Sequence, residues 1–407
     1  METPSETPAA PRRRPAAKKT AAGKKAPAPK GKGKKKKKRR RSPFMRLMRG
    51  LMLTLSIVAA VALFCTAYAG NISPLKHGGF WGILPLCFPL VMLCAAILLV
   101  LQIWWHWRGV VIVAVGFIVC TGPALQVCPL NIGGSRKAPE GSDTFTLLTY
   151  NVHNFSEIRR DSTDTAPNHM LEYVLASDAD IVCMQEVFTL SVYRKGFITS
   201  EQVQSLHDRY PYIIKSAGAQ AILSKYPVQP IHLSLTKEEF DDAELAAYRI
   251  SFPNGKIATL FNVHLQSLNL SEDDRELYKN LTRLQRENLG AVREQLIDKL
   301  SYANVERARQ TQALMRLIRH YGGPDVLICG DFNDVATCYA LRTLEEAGFS
   351  SVYADLGFGP IITYNSGRFY FGIDHVLFRG DFTPLSIKKG TTRASDHYPL
   401  TVSLALD

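Results

Sequence analysis

Three uncharged apolar runs follow one another in the first third of the chain. They are Leu51–Ala69, Phe80–Leu101 and Gly109–Val127, of 19, 22 and 19 residues. A helix needs roughly 20 apolar residues to cross a bilayer, so the runs predict three transmembrane helices. The breaks between them are short and polar, Gly70–Gly79 and Gln102–Arg108. Trp104, Trp105 and Trp107 fall in the second break, where an interfacial aromatic belt belongs. A cleaved signal peptide does not fit, because the basic region ahead is too long and two further apolar runs follow. The third run carries Gly116, Gly122 and Pro123 and is the weakest of the three. Were it not to cross, everything after it would return to the side of the N-terminus.

Charge divides the chain as sharply as hydropathy does. Residues 1–49 hold 19 Lys and Arg against 2 Glu, among Pro and Ala, with an unbroken basic run from Lys34 to Arg41. Such a segment buries no core and reads as a disordered polybasic tail. It can bind anionic lipid heads or nucleic acid by charge alone, or serve only as a topology signal. By the excess of positive charge on the inner side, the N-terminus is expected in the cytoplasm. Three crossings within 50–129 then place the rest outside the cytoplasm, after a linker at 130–142 marked by Gly133, Gly134, Ser135, Pro139 and Gly141. Residues 143–407 carry 26 basic against 33 acidic residues, a net of −7. A net-acidic domain argues against tight non-specific duplex binding, which usually needs a basic face. Only Cys183, Cys329 and Cys338 of the 8 cysteines lie in this domain, the first two within strand-like stretches that suit small core residues. No Cys/His cluster with zinc spacing accompanies them.

Within 143–407, short β-rich runs end repeatedly in polar residues. Phe145–Leu148 leads to Asn151, Asp180–Met184 to Gln185 and Glu186, and Lys256–Phe261 to His264. Asp325–Cys329 leads to Gly330, Asp331, Phe332 and Asn333; Ile373–Phe378 contains Asp374; Asp396 and His397 precede a last strand at Leu400–Leu406. With helical stretches between some of them, the runs predict an α/β or α+β domain of two sheets or one large one. Strand ends hold side chains rigidly, which suits a site. Each motif alone reads equally as a turn, a helix cap or a satisfied histidine. Together they supply hard oxygen ligands and two histidines, a set suited to Mg²⁺ or Mn²⁺ and to metal-assisted hydrolysis of a phosphate ester.

The ordered series TYNVHN, MQE, NVHL, GDFND, IDHV and SDHYPL, with AILSKYPV (Ala221–Val228) ahead of the middle, resembles the endonuclease/exonuclease/phosphatase superfamily across about 143–407. The resemblance, to a membrane-anchored bacterial-type member, implies a four-layer α/β/β/α sandwich with the site at one end of two sheets. It implies Glu186 as metal ligand, with Asn151 beside it and Asp396 as a second ligand. It implies Asp331 orienting or deprotonating the attacking water, Asn333 and His264 on the phosphate or leaving group, and Asp374 paired with a catalytic His. His397 contacts the phosphate or acts as the base, a role that Asp331 equally fits. The expected cofactor is Mg²⁺ or Mn²⁺. The expected substrate is a phosphodiester or phosphomonoester, of nucleic acid or of a lipid or phosphoinositide. The competing reading is a catalytically silent, membrane-tethered module that binds a phosphorylated partner.

About 65 charged, helix-forming residues separate His264 from Gly330. Ser271, Glu272, Asp273 and Asp274 resemble a helix cap, and Leu277, Leu281, Leu284, Leu289, Val292, Leu296 and Leu300 keep helical spacing. The stretch 271–300 reads as a lid or as a flank helix, and a second helix is expected at Asn304–His320. Arg283, Arg286, Arg307 and Arg309 could form a local basic patch. Tyr364, Asn365 and Arg368, just before Asp374, could shape a pocket.

Overall fold

The computed structural model describes residues 42–406 except 159, 162, 217, 235–243, 268–288 and 367–368, and omits the side chains of 105 and 289–295. The expected disordered tail therefore lies mostly outside the described residues. So do the cap at 271–274, Leu277, Leu281, Leu284, Arg283, Arg286 and Arg368.

The first helix, α1 (Pro43–Tyr68), begins ahead of the expected boundary at residue 50. Two short 3-10 stretches and one helical turn lead to α2 (Leu84–Trp105), then α3 (Trp107–Val119) and α4 (Thr121–Val127). Pro43–Asn71 and Gly79–Trp104 are each long and apolar enough to cross a membrane; α3 and α4 are so only as a pair bent by 70°. Pro123 explains the bend. It has no N–H for the carbonyl of Val119, four residues back. That carbonyl instead accepts the Tyr68 hydroxyl at 2.6 Å.

The three long helices form a bundle. Gln102, near the end of α2, donates to Met52 O and Ser56 Oγ of α1, both at 2.8 Å. The backbone of Gly116 lies against Ala60 and Leu63, a close approach that small residues permit. With Tyr68 on Val119, these contacts make α3 run alongside α1 in the same direction and α2 the opposite way. Trp104 and Trp107 are exposed at the α2–α3 junction, at the bundle end where the aromatic belt was expected.

The sequence after α4 crosses to the sandwich as a strap. Asn131 N–H donates to Gly357 O at 3.2 Å and Arg136 N–H to Leu385 O at 2.7 Å, and Asn131 Nδ2 donates to Ala354 O. The Gly-rich segment 130–142, expected as a linker, is thus tied to the domain that follows it.

That domain has two six-stranded sheets. The first is ordered β13-β14-β1-β2-β4-β3, the second β5-β6-β7-β8-β12-β9. Their strands are β1 (Asp143–Asn151), β2 (Ile181–Gln185), β3 (Tyr212–Lys215), β4 (Ala221–Ser224), β5 (Val228–Ile231), β6 (Glu244–Ser251), β7 (Ile257–His264), β8 (Val326–Asp331) and β9 (Ser350–Ser351), then β12 (Asp374–Arg379), β13 (Phe382–Lys389) and β14 (Leu400–Leu406). A separate hairpin, β10 (Tyr364–Ser366) with β11 (Phe369–Phe371), stands beside them. Every strand-like run read from the sequence is a strand.

The core between the sheets includes Phe145, Leu147, Ile181, Cys183, Leu260, Cys329 and Leu404, all buried. Cys183 and Cys329 are free thiols, small core residues as expected. Outside the first sheet, α5 (His169–Ser177) and α6 (Ser200–Arg209) supply Met170, Leu171, Val174 and Leu206. Outside the second, α7 (Leu289–Tyr321) and α8 (Tyr339–Glu346) supply Leu314, Leu317, Ile318, Leu341 and Leu344. The result is the α/β/β/α sandwich. A further expectation changes: no break separates two helices near residue 301, because α7 runs unbroken for 33 residues.

Candidate active site

Register brings the site together. Parallel β1 and β2 end level, Asn151 opposite Gln185. Parallel β7 and β8 end level in the other sheet, His264 opposite Asp331. Antiparallel β12 begins where β8 ends, Asp374 opposite Asp331. Parallel neighbours finish at the same edge and an antiparallel one starts there, so Asn151, His264, Asp331 and Asp374, with Glu186 just after β2, gather at one end of the sandwich. Asp396 and His397 arrive on the loop before β14.

Asp331 stands at the focus. Its Oδ2 accepts from Asn151 Nδ2 at 3.1 Å and lies 3.4 Å from His397 Nε2 and 3.8 Å from His264 Nε2. Its Oδ1 accepts the backbone N–H of Asn333 at 2.8 Å. On one side, His397 Nδ1 is held by Asp374 Oδ2 at 2.9 Å, both residues buried. On the other, Asn151 Nδ2 also donates to Glu186 Oε1 at 2.9 Å. Asn333 Nδ2 donates to Leu265 O at 2.9 Å. All eight residues expected at the site are there.

Two residues join them that the motifs did not flag as site residues. Glu244, the first residue of β6, pairs across the ladder with His264, and its Oε2 meets His264 Nδ1 at 2.6 Å. His153 Nδ1 lies 3.4 Å from Glu186 Oε2 and 4.0 Å from Asp396 Oδ1, between the two carboxylates. Beneath the site, Gln185 Nε2 donates to Asn262 Oδ1 at 2.7 Å and to Thr149 Oγ1 at 3.1 Å, a buried polar tie between the sheets.

The backbone is bent to aim these groups. His153, Asn154 and Phe155 all have positive φ, as do Glu186 (φ 56) and Asn333 (φ 50). Residues without glycine's freedom are held there by their surroundings, as is common at functional sites.

The electrostatics are those of crowded carboxylates. Burial works against charge on Glu186, yet hydrogen bonds from His153 and Asn151 and the nearby His264 bring it down to about 2. Burial likewise opposes protonation of His397, but Asp374 and Asp331 raise it to about 10. His264 rises to about 9 against its burial, through Glu244 and Asp331. Burial raises Asp331, and the Asp374 charge adds to it, against the pull of His397. Two histidines are thus held as imidazolium at neutral pH by a surplus of acids. Glu244→Gln is expected to lower the His264 midpoint by roughly 1–3 units, the usual effect of one close opposite charge. A pH titration of the imidazole by NMR measures it; an unmoved midpoint would deny Glu244 that role.

The donor set suits a hard divalent cation. Glu186 and Asp396 flank the position that the His153 imidazole spans, and carboxylate oxygens match Mg²⁺ or Mn²⁺. Buried Asp331, Asp374 and His397 also lie close enough together to hold a metal. There His397 Nδ1 is already engaged by Asp374, which reads as an orienting pair.

A cavity of about 170 Å³ opens onto these groups, walled by His153, Glu186, Asp331, Asn333, Asp396 and His397 on the polar side. Tyr364 also lines it, edge-on to the His397 ring with centroids 5.0 Å apart. Asn365 instead bonds Tyr398 and the Asp396 backbone. The expected basic patch does not form from Arg307. Its side chain is buried, 3.5 Å from Asp334 Oδ2.

Residues 148–397 match the model of the Endonuclease/Exonuclease/phosphatase family. No curated protein matches the chain. Among solved structures, the chain is similar to an endonuclease/exonuclease/phosphatase from Beutenbergia cavernae (14% identity, 65% of this chain and 72% of that one, TM-score 0.41). It is also similar to the human Nocturnin catalytic domain with bound sulfate (15%, 65% and 98%, TM-score 0.42). A third is an inositol polyphosphate 5-phosphatase domain of synaptojanin (18%, 65% and 84%, TM-score 0.36).

Proposed function

Because this chain belongs to the endonuclease/exonuclease/phosphatase family, we propose that it is a membrane-anchored, Mg²⁺-dependent hydrolase of phosphate esters. The observation that carries this reading is Asp331, a buried carboxylate faced at once by Asn151, His264 and His397.

Glu186 and Asp396 would hold Mg²⁺, which would supply charge neutralisation to a bound phosphoryl group. Asn151 bridges Glu186 to Asp331 and keeps the metal-binding and proton-accepting carboxylates apart. Asp331 accepts the proton of a water aligned with the scissile bond; its raised pKa makes it a better base near neutral pH. His397, kept protonated by Asp374, donates to a phosphoryl oxygen as charge develops there. His264, held by Glu244, donates from the opposite side, and Asn333 lines the phosphate position. Between the two candidate bases, the raised pKa of His397 favours Asp331.

Membrane anchoring is supported by the outward-facing Leu55, Val61, Phe64, Leu90, Ile97 and Val115 of α1–α3, all exposed. The packing of the bundle supports the expected topology. The turn between α1 and α2 touches the sandwich, for Arg342 Nε donates to Asn71 Oδ1 at 3.0 Å. The sandwich therefore shares a side with that turn, at the opposite end of α1 from Met52. With the basic tail in the cytoplasm, the catalytic domain (143–407) is extracytoplasmic.

The test uses the full chain in detergent with bis(p-nitrophenyl) phosphate. Turnover is expected to vanish on chelation and return with Mg²⁺. Glu186→Gln should need at least about tenfold more Mg²⁺ for half its maximal rate. Metal-independent turnover would sink the mechanism. Mg²⁺ binding without turnover would point to the silent binding module.

A further inference from the structure

The membrane helices help to build the active site. The turn ahead of α2 is seated on α7: Asn304 Nδ2 donates to Gly79 O at 2.9 Å. A β-carbon at Gly79 would stand 1.8 Å from Ser301 O, so only glycine fits that seat. Asn304 in turn accepts from Arg307, whose other nitrogens reach Gln266 O at 3.0 Å and Asp334 at 3.5 Å. Gln266 and Asp334 adjoin the cavity-lining Ser267 and Asn333. A buried polar chain thus runs from the membrane-side turn to the catalytic loops.

The same seating places Leu86, in the first turn of α2, in the wall of the catalytic cavity. It stands there with Phe369, Phe371 and Ile373, while the acids and histidines form the remaining wall. Phe371 also lines a second cavity of about 220 Å³, whose walls include Pro89 of α2 and Val127 of α4 with Ile361 and Ile362. A polar site thus has an apolar wall continuous with a seam between the sandwich and the candidate spans. A nucleic-acid strand can stack a base on Phe371 but carries no alkyl chain to follow the seam.

We propose that the substrate is a membrane lipid, its headgroup phosphoester on the catalytic wall and its chain against Leu86 and Phe371 toward the seam between the sandwich and the membrane helices. This rests on the hydrolase reading above. In the reaction, water oxygen bonds to phosphorus, the phosphorus–leaving-oxygen bond breaks with its electron pair on that oxygen, and the water proton goes to Asp331.

The experiment compares p-nitrophenyl hexadecyl phosphate with p-nitrophenyl methyl phosphate, which share the reacting centre and leaving group. The full chain is assayed in mixed micelles with Mg²⁺. Burying even two methylenes is worth roughly tenfold, so the hexadecyl ester should show kcat/KM at least about tenfold higher. Leu86→Glu and the milder Leu86→Ala should both lower the ratio between the esters toward one, whatever their absolute rates. Equal rates, or a ratio unmoved in both variants, would overturn the lipid assignment and leave the hydrolase standing. Cleavage of a single-stranded oligonucleotide with higher kcat/KM than the hexadecyl ester would overturn it in favour of nucleic acid. Turnover of none of the three would remove the hydrolase reading, and this one with it.

Discussion

His397→Ala is expected to lower kcat/KM by roughly 10²–10⁴-fold, the range over which a positioned proton donor acts, while Mg²⁺ binding changes little. The reason is the order of contacts. Asp374 holds Nδ1 at 2.9 Å and leaves Nε2 facing Asp331 at 3.4 Å. The proposed metal-binding carboxylates, Glu186 and Asp396, meet His153 instead. Removing the imidazole should therefore strike the chemistry and spare the cation. Asp374→Asn separates orientation from charge. The amide can still meet Nδ1, but the charge that helps raise His397 to about 10 is gone. A group whose pKa is raised by an anion falls when the anion is neutralised. The alkaline limb of the pH–rate profile should accordingly move down by at least about one unit, with a smaller loss of rate at pH 7. Wild-type rate at full Mg²⁺ in His397→Ala, or an alkaline limb that stays put in Asp374→Asn, would take this pair out of the mechanism.

What could be read in the sequence followed local rules. The strand ends were legible because alternation and turn residues are written in short windows, and the site is a collection of strand ends. The long apolar helices were legible because apolar length needs no partner. What escaped depends on distance along the chain. Glu244 follows a run of charged residues and looks like solvent-facing sequence; only the β6–β7 register sets it against His264. His153 lay inside a quoted motif, yet its left-handed backbone, which turns it between Glu186 and Asp396, has no local signature. Arg307 read as surface charge because a buried arginine is expected only with partners, and Asn304 and Asp334 are identified by folding alone. The helical stretch before β8 read as two helices because apolar spacing falters near residue 301, where α7 packs against Gly79 rather than the sheet. Leu86 is one residue among the 22 of its apolar run. Nothing in that run distinguishes a lipid-facing leucine from one in the wall of a catalytic cavity.

Gly330→Ala is expected to destabilise the protein by roughly 2–6 kcal/mol, combining overpacking of about 1–3 with backbone strain of similar size. Gly330 has φ 137, and a β-carbon there would lie 2.0 Å from Val263 O. That oxygen is backbone and cannot rotate away. Val263 is the Cα partner of Gly330 in the parallel β7–β8 pair, one residue before His264 opposite Asp331. Any relief must spread the two strands just below the site, so the folded fraction should also lose activity as the 3.8 Å approach of His264 to Asp331 opens. At about 2–4 °C per kcal/mol for a domain of this size, the midpoint of thermal unfolding should fall by roughly 5–20 °C. Gly255→Ala supplies the comparison. Its φ is 82, but nothing lies within 4 Å of the added carbon, so only the left-handed cost of about 1–2 kcal/mol remains. If the two variants lost equal stability and both kept full activity, the close approach at Gly330 would not be what holds His264 and Asp331 together. The larger loss at Gly330, with activity falling further than stability, would tie the glycine of the Gly-Asp-Phe-Asn motif to the geometry of the site.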